Sequence, residues 1–207
     1  IELVRHDLNK LSNEELAQIT NIAQLEAAEA VLQGVVDTHN QKVAQVVIDA
    51  INTLPSVETA AIEDEEAMLA VVAKYNQLTK EQQPFVSNYE TLTAVRDQIN
   101  ALILAASKLA AQPVIDLITA LPEKANVTVE HEAQIAEADA QYQKLSARAK
   151  KEVTNYTKLS SVKTALTTAL KNEAKPVTSA ITALPKLANL TLSDKENVAA
   201  ARAKYEA

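Results

Sequence analysis

Three histidines are the side chains of this sequence best suited to bind a metal or move a proton. His6, His39 and His131 lie far apart in the chain, and none of them belongs to a recurring motif. A metal site needs converging ligands, and the string HEAQ at His131 lacks the second histidine of the HExxH zinc pattern. We therefore expect solvated or capping histidines, and we predict no metal ligand and no catalytic residue.

An acidic cluster, Glu63 to Glu66, is the next candidate, since carboxylates bind calcium. It lacks the Asp-x-Asp-x-Asp-Gly loop of tight calcium sites, and a helix start favours negative charge for its own reasons. Phosphate-binding loops need several glycines, and Gly34 is the single glycine here. Cysteine is absent, which excludes thiol nucleophiles and disulfides. The chain is predicted to be no enzyme and to hold no cofactor.

Five tyrosines recur in a pattern. Tyr75, Tyr142 and Tyr205 lie on an apolar helical stripe, and Tyr89 and Tyr156 lie at the start of a helix. An aromatic ladder for sugar stacking is one interpretation of this spacing. We favour the other, half-buried packing with the hydroxyl groups at the surface.

Three N-x-T triplets could accept N-linked glycans: Asn126 with Thr128, Asn155 with Thr157, and Asn189 with Thr191. Two of them, at Asn126 and Asn189, occupy the same loop position in successive repeats. Asparagine at such a place is typical of turns and caps, so we expect that role there and treat glycosylation as the minor alternative.

The elements that must position these residues come in a tandem repeat. The strings VIDAINTLP, VIDLITALP and VTSAITALP begin at Val47, Val114 and Val177, so one unit recurs at nearly equal intervals. Repetition of this kind indicates that the repeats provide length or several equivalent binding sites, and not a single catalytic centre. The predicted units are a partial first repeat (1–46), a second (47–113), a third (114–176) and a truncated fourth (177–207), a segment of a longer array.

Apolar spacing of three and four residues predicts helices throughout, and the fold class is all-α. A first helix of about 15 residues starts at Thr128 and Glu130, or at Ser193 with Glu196 as a capping box. A second, shorter helix follows the boxes Ser12 with Glu15 and Thr79 with Gln82, and the box at Ser146 is incomplete because Ala149 replaces the acid. A long apolar stripe then runs into the next VIDxIxxLP segment. Three-helix units of roughly 65 residues are therefore expected to share long helices in an elongated array.

A deletion and the prolines refine this scheme. The stretch from Leu159 to Pro185 is four residues shorter than its two counterparts, about one helical turn. Pro113 and Pro176 predict a kink or a helix restart, because proline removes a backbone donor, whereas Val46 at the matching place predicts a straighter connection. The LP prolines (Pro55, Pro122 and Pro185) are expected to follow the last helical leucine and open a polar loop.

Composition narrows the possible partners. A formal charge of −7, without a run of Lys or Arg, makes nucleic acid an unfavourable partner. No uninterrupted apolar stretch reaches the roughly 18 to 20 residues of a membrane span, and the first residues, IELVRHDL, do not resemble a signal peptide. The absence of cysteine fits a cytosolic protein and a Gram-positive surface protein equally.

The motifs of one unit, taken together, resemble a helical repeat of Gram-positive cell-surface proteins, including S-layer and cell-wall-associated proteins. In chain order these motifs are LP, then V-T or L-S-D, then Y-x-x-L-[ST], then V-[ST]-N-Y-x-x-L. LPEKANVTVEHEAQIAEADAQYQKLSARAKKEVTNYTKL (Leu121 to Leu159) carries the resemblance, which covers essentially the whole chain. It implies an exported parent with adjacent domains, located at the cell surface or wall, in which the repeats form a stalk. The predicted function is a structural spacer rod.

A helical binding module for cell-wall polysaccharide or a protein partner is the alternative. Helical regions of S-layer proteins are thought to bind anionic wall glycans through basic surfaces, whereas this chain is acidic. The two functions differ in what should recur: a binding face repeats its exposed polar or aromatic residues, and a spacer repeats its apolar stripe, caps and prolines.

Overall fold

The computed structural model describes residues 2–206, and within them the protein is all-α, without a β-strand. Ile1 and Ala207, the outer limits of the predicted first and fourth repeats, lie outside the described residues. The helices are, in chain order, α1 (Glu2–Leu8), α2 (Asn13–Leu16), α3 (Ile22–Asn52), α4 (Glu65–Asn76), α5 (Tyr89–Ala120), α6 (Glu132–Lys144), α7 (Ala147–Glu152), α8 (Tyr156–Thr182) and α9 (Lys195–Glu206).

Three helices are much longer than the others. Helices α3 and α5 have 31 and 32 residues, and α8 has 27. Each begins beside an N-[YI] dipeptide and continues to the next LP motif, as the unbroken apolar stripe predicts. The deletion between Leu159 and Pro185 shortens α8 by about one turn and leaves it continuous.

Pro113 and Pro176 lie inside α5 and α8. Of the two predicted outcomes, a restart at these prolines is therefore wrong, because each helix continues on both sides. A proline inside a helix has no N–H for the carbonyl of the residue four positions earlier.

The LP motifs lie just beyond the ends of these helices. The helices end at Asn52, Ala120 and Thr182, so the leucine that follows is in a turn and not in the helix, a correction of one or two residues. Each leucine N–H still donates to the carbonyl three residues earlier, for example Leu54 to Ile51 at 3.0 Å. The predicted polar loop is built largely of short 3-10 turns, and in the first copy it buries Ala60.

The starts of the first helices differ from the prediction. Helices α4, α6 and α9 have 12 or 13 residues, and a 3-10 turn precedes each one. The capping box predicted at Ser193 and Glu196 is wrong. The box lies two residues earlier in the chain, where the Thr191 N–H donates to the Asp194 carboxylate at 2.9 Å. Thr128, which was predicted with Glu130 to mark the start of such a helix, is the N-cap of the 3-10 turn before α6, and its N–H donates to His131 Nδ1 at 3.1 Å. The 3-10 turn shifts the box because its third residue points back at the free N–H.

The second, shorter element has a different form in each repeat. At α2 both bonds of the box between Ser12 and Glu15 are present, as predicted. At α7 the Ser146 hydroxyl accepts from the Ala149 N–H at 3.2 Å, and alanine cannot reciprocate, so the incomplete box is confirmed. The middle copy is not an α-helix. It is a turn followed by a 3-10 helix (Gln83–Phe85), with Pro84 in the first turn of that helix.

The chain forms two compact units, one up to Ile103 and one from Leu104. The core of the first draws on α3, α4 and α5, with Ile51, Met68, Leu92, Val95 and Ile99 almost fully buried. The core of the second draws on α5, α6 and α8. Its most buried large side chains are Ile118, Ile135, Leu159 and Val162. The boundaries of the predicted repeats follow the sequence period and remain a prediction.

Replacing Pro113 with Ala should raise the free energy of unfolding, by up to about 3 kcal/mol, because the new N–H completes the backbone ladder of α5. Urea denaturation measures the change. Pro84→Ala is the matched control: Pro84 lies at the first turn of its 3-10 helix, where no helical bond is missing, so it should change little. A Pro113→Ala protein that is no more stable than Pro84→Ala would contradict this account.

Candidate functional site

The structure brings no histidines together. His6 and His39 are exposed, and no group of three or more His, Asp or Glu residues within 2–206 is arranged to hold a metal ion. His131 is half-buried, and its Nδ1 accepts the N–H of Thr128 at 3.1 Å. That bond assigns the proton of a neutral ring to Nε2. His131 is therefore the capping histidine that the sequence suggested.

The acidic cluster serves the start of a helix. The Asp64 carboxylate accepts the N–H of Ala61 at 2.8 Å. Glu65 and Glu66 then occupy the first turn of α4, where the positive end of the helix dipole favours them.

The recurring tyrosines stack on each other in pairs. Tyr75, at the end of α4, stacks on Tyr89, at the start of α5, with ring centroids 4.1 Å apart and planes 20° apart. Tyr142 and Tyr156 repeat the arrangement at 4.4 Å and 27°. Burial, and then the neighbouring Tyr89, raise the pKa of Tyr75 above its ordinary value. The predicted half-buried packing is confirmed for Tyr75, Tyr89 and Tyr142, whereas Tyr156 is 40% exposed and Tyr205 is 67% exposed. One face of each stacked ring is used by its partner.

In each ring pair, the tyrosine that starts a long helix is directly preceded by an asparagine. This asparagine bonds to the end of the previous long helix. Asn88 Nδ2 donates to the Ile48 carbonyl at 3.1 Å and to Asn52 Oδ1 at 2.9 Å. Asn155 Nδ2 donates to the Ile115 carbonyl at 2.9 Å and to Thr119 Oγ1 at 3.0 Å. We call this pair of bonds the asparagine clamp.

The clamp has the same geometry in both copies. Its backbone acceptor is kept, while its side-chain acceptor changes from the amide oxygen of Asn52 to the hydroxyl oxygen of Thr119. The Thr119 hydroxyl donates to the Ile115 carbonyl at 2.7 Å, which leaves its lone pairs for Asn155. Oδ1 of Asn88 and of Asn155 is inaccessible to solvent, and no donor among the described residues reaches it. The amide cannot be reversed to expose it, because Nδ2 is needed opposite a carbonyl oxygen.

Sequence reasoning identified the V-[ST]-N-Y element but missed the clamp. A signal was present: asparagine recurs at Asn21, Asn88 and Asn155, at equal intervals along the chain. A recurring polar residue on an otherwise apolar stripe indicates a repeated hydrogen bond.

The clamp also separates the three N-x-T triplets. Nδ2 of Asn155, the atom to which a glycan would be attached, already donates two hydrogen bonds. Asn126 and Asn189 are exposed and end 3-10 turns, with their N–H groups bonded to the carbonyls three residues earlier. The turn role expected there agrees with this placement.

A charged pair occupies one position of the helix–helix contact, but its polarity reverses. Arg5 of α1 pairs with Glu29 of α3, and two repeats further on Asp139 of α6 pairs with Lys163 of α8 at 2.7 Å. The hydrogen bond from Lys163 lowers the pKa of Asp139 below its ordinary value, and that from Arg5 lowers the pKa of Glu29. In the middle copy these positions are Val72 and Arg96, and Arg96 bonds to Asp97 instead.

One helix in the described part of the chain, α5, is long and apolar enough to cross a membrane by length and composition alone. Both of its halves contribute to cores, with Leu92 and Val95 in the first unit and Val114 and Ile118 in the second. Core helices meet the same criterion, so the absence of a membrane span stays a prediction.

Comparison of the chain with protein-family models, with curated proteins and with solved structures finds no match. The inference of function therefore depends on the internal repetition of the chain and on the contacts described above.

Asn155→Ala should lower the free energy of unfolding by about 1 to 2 kcal/mol, because it removes two hydrogen bonds between distant elements, while loss of the unpaired Oδ1 offsets part of that cost. Asn126→Ala, on an exposed turn, should change it by under about 0.5 kcal/mol. Urea denaturation measures both. Equal effects of the two changes would show that the clamp adds no net stability.

Tyr142→Ala should cost about 3 kcal/mol, because it removes a packed ring and exposes the face of Tyr156. The chain supplies a matched control in Tyr205, the same repeat position in α9, which is 67% exposed and has no stacked ring among the described residues. Tyr205→Ala should cost under about 1 kcal/mol. Thermal and urea unfolding of both variants test this, and a Tyr142→Ala loss no larger than that of Tyr205→Ala would contradict the packing role.

Proposed function

We propose that this chain is a non-enzymatic spacer: an elongated array of three-helix units of roughly 65 residues, joined by shared long helices, within an exported bacterial surface or S-layer-type protein. The resemblance of the Leu121 to Leu159 motif supports the location. Its expected partners are adjacent domains of a longer parent chain.

The observation that carries the proposal is what recurs between repeats and what does not. The contacts that recur are internal: the tyrosine stack, the asparagine clamp and the buried apolar positions. At the surface the repeats diverge, and the pair Arg5 with Glu29 even reverses its charges at Asp139 with Lys163. A binding face would keep its exposed chemistry, whereas a spacer needs only its internal packing.

The three long helices support the same function. An α-helix rises about 1.5 Å per residue, so α3 and α5 are each on the order of 45 Å long. Helices shared between successive units would convert added repeats directly into added length.

Small-angle X-ray scattering, extrapolated to zero concentration, tests the spacer. We expect a radius of gyration well above the roughly 17 Å of a globular chain of 207 residues. A radius no larger than that of the globular chain would overturn the elongated array. Extrapolation is needed because association would raise the apparent radius for a different reason.

A binding module for cell-wall polysaccharide or a protein partner is the second candidate. The observation that favours it is an open groove beside the first ring pair, lined by Tyr75, Tyr89, Lys80, Gln83 and Glu90. Polar groups next to aromatic rings suit a sugar.

Calorimetric titration with purified cell-wall polysaccharide distinguishes the two functions. If the groove binds, Lys80→Ala combined with Glu90→Ala should weaken binding at least about tenfold, whereas Lys74→Ala, which lies outside the groove, should not. Absence of binding by the parent chain would remove this polysaccharide candidate.

A further inference from the structure

A groove runs along one side of α5 and α6 in the second unit. It is lined by Leu121 and Ala133 at one end and by Ala110 and Lys144 at the other, so α6 runs back along α5. The part toward Lys144 has a volume of about 640 Å³. Leu117 lines both parts and is 36% exposed. The groove is therefore open, and most of its lining is apolar.

An exposed apolar strip of α5 borders this groove. Leu109 is 77% exposed and lies one helical turn before Pro113, and Leu117 lies one turn after it. Residues four apart share a face of a helix, so these three side chains form a continuous strip, which we call the α5 ridge. Large apolar side chains exposed together mark an interaction surface more often than isolated ones do.

The fold itself does not require this apolar surface, and the chain supplies the comparison. One repeat earlier Lys42 matches Leu109 and Glu66 matches Ala133, and both of these charged residues are exposed. The α5–α6 surface also lies in the middle of the chain, with repeat sequence before and after it, so its exposure is not the effect of a chain end. The apolar residues here therefore need a reason outside the packing of the unit.

Charges of opposite sign lie toward the two ends of the groove. Asp116 and Glu137 lie toward the Leu121 end, and Lys108 and Lys144 lie toward the other end. All four charged residues are exposed, and none of them forms an ion pair among the described residues. This face of the second unit thus has an acidic half and a basic half.

We propose that two copies of this chain pair through the α5–α6 groove, antiparallel and related by a twofold axis near Pro113. Leu109 and Leu117 lie four residues to either side of Pro113, so in this pairing Leu109 of each copy packs against Leu117 of the other. A twofold interface uses the same surface on both copies and closes at the dimer. The inference goes beyond the spacer function and does not depend on it.

Charge complementarity selects the antiparallel direction. The twofold places the acidic half of each copy, with Asp116 and Glu137, against the basic half of the other, with Lys108 and Lys144. A parallel pairing would instead bring like charges together at both ends, which is unfavourable. The apolar α5 ridge and the four charges therefore agree on one arrangement.

The size of this surface sets the expected affinity. From Leu109 to Leu121 an α-helix extends about 20 Å, and α6 adds the second side of the groove. A contact this short is smaller than a standard protein–protein interface. We therefore expect a weak, reversible dimer with a Kd between about 10 μM and about 1 mM.

Sedimentation velocity from about 5 μM to about 1 mM tests the proposal on the full chain. We expect reversible association that stops at the dimer. Leu109→Lys should weaken it at least about tenfold, and the fold tolerates lysine at this place because α3 carries Lys42 there. Leu187→Lys is the control, since Leu187 is 89% exposed and lies outside the groove, and it should leave the Kd unchanged.

Two charge variants test the direction of the pairing. Lys108→Glu with Lys144→Glu makes the face acidic throughout, and Asp116→Lys with Glu137→Lys makes it basic throughout. Each variant alone should associate at least about tenfold more weakly than the parent chain, because like charges then meet. An equimolar mixture of the two should associate again, as mixed dimers.

The results that would overturn the proposal are specific. A chain that stays monomeric to about 1 mM overturns it and leaves the groove to a partner of another kind. Association that continues beyond the dimer contradicts the twofold axis. Equal sensitivity to Leu109→Lys and Leu187→Lys would indicate unspecific apolar association, and a mixture of the charge variants that associates no better than either alone contradicts the pairing of the charges. Circular dichroism confirms that each variant is folded.

Discussion

The hydrogen bonds from one asparagine amide to the preceding long helix are the constraint on which the repeat depends. Aromatic residues make up 3% of the chain, so the cores are small and aliphatic. Aliphatic side chains pack in several nearly equivalent ways, and their packing alone leaves the rotation of a helix weakly determined. A bond from Asn88 or Asn155 to a specific backbone carbonyl is directional, and it fixes that rotation.

The tyrosine stack extends this constraint to a second helix. Tyr89 follows Asn88 directly and packs on Tyr75 of α4, so two consecutive residues tie the start of α5 to both preceding helices. At the matching positions near the start of the chain stand Leu8 and Ile22, which are both half-buried. The phenol ring is therefore not repeated in every unit, although an apolar side chain is, which agrees with packing better than with a repeated sugar-stacking ladder.

Residue identity is less constrained at the surface of the repeats than in their interior. An ion pair with its charges reversed, as between Arg5 with Glu29 and Asp139 with Lys163, satisfies the same contact, because exposed pairs contribute little beyond avoiding like charges. This freedom agrees with the proposed spacer.

By itself the sequence determined the helical class, the caps at Ser12 and Ser146 and the packing role of Tyr75, Tyr89 and Tyr142, because helical periodicity and local hydrogen bonds extend over only a few residues. It left open whether α5 and α8 restart at Pro113 and Pro176, which the structure shows they do not. It placed the cap of α9 wrongly, at Ser193 with Glu196 and not at Thr191 with Asp194, because two overlapping boxes compete within one turn and 3-10 geometry selects between them. Only the tertiary structure decided which distant groups meet, such as Asn155 with Ile115 and Thr119, 40 and 36 residues earlier. Periodicity shows which face of a helix is apolar, but the opposing residue depends on the relative rotation and shift of two helices, which no local pattern encodes.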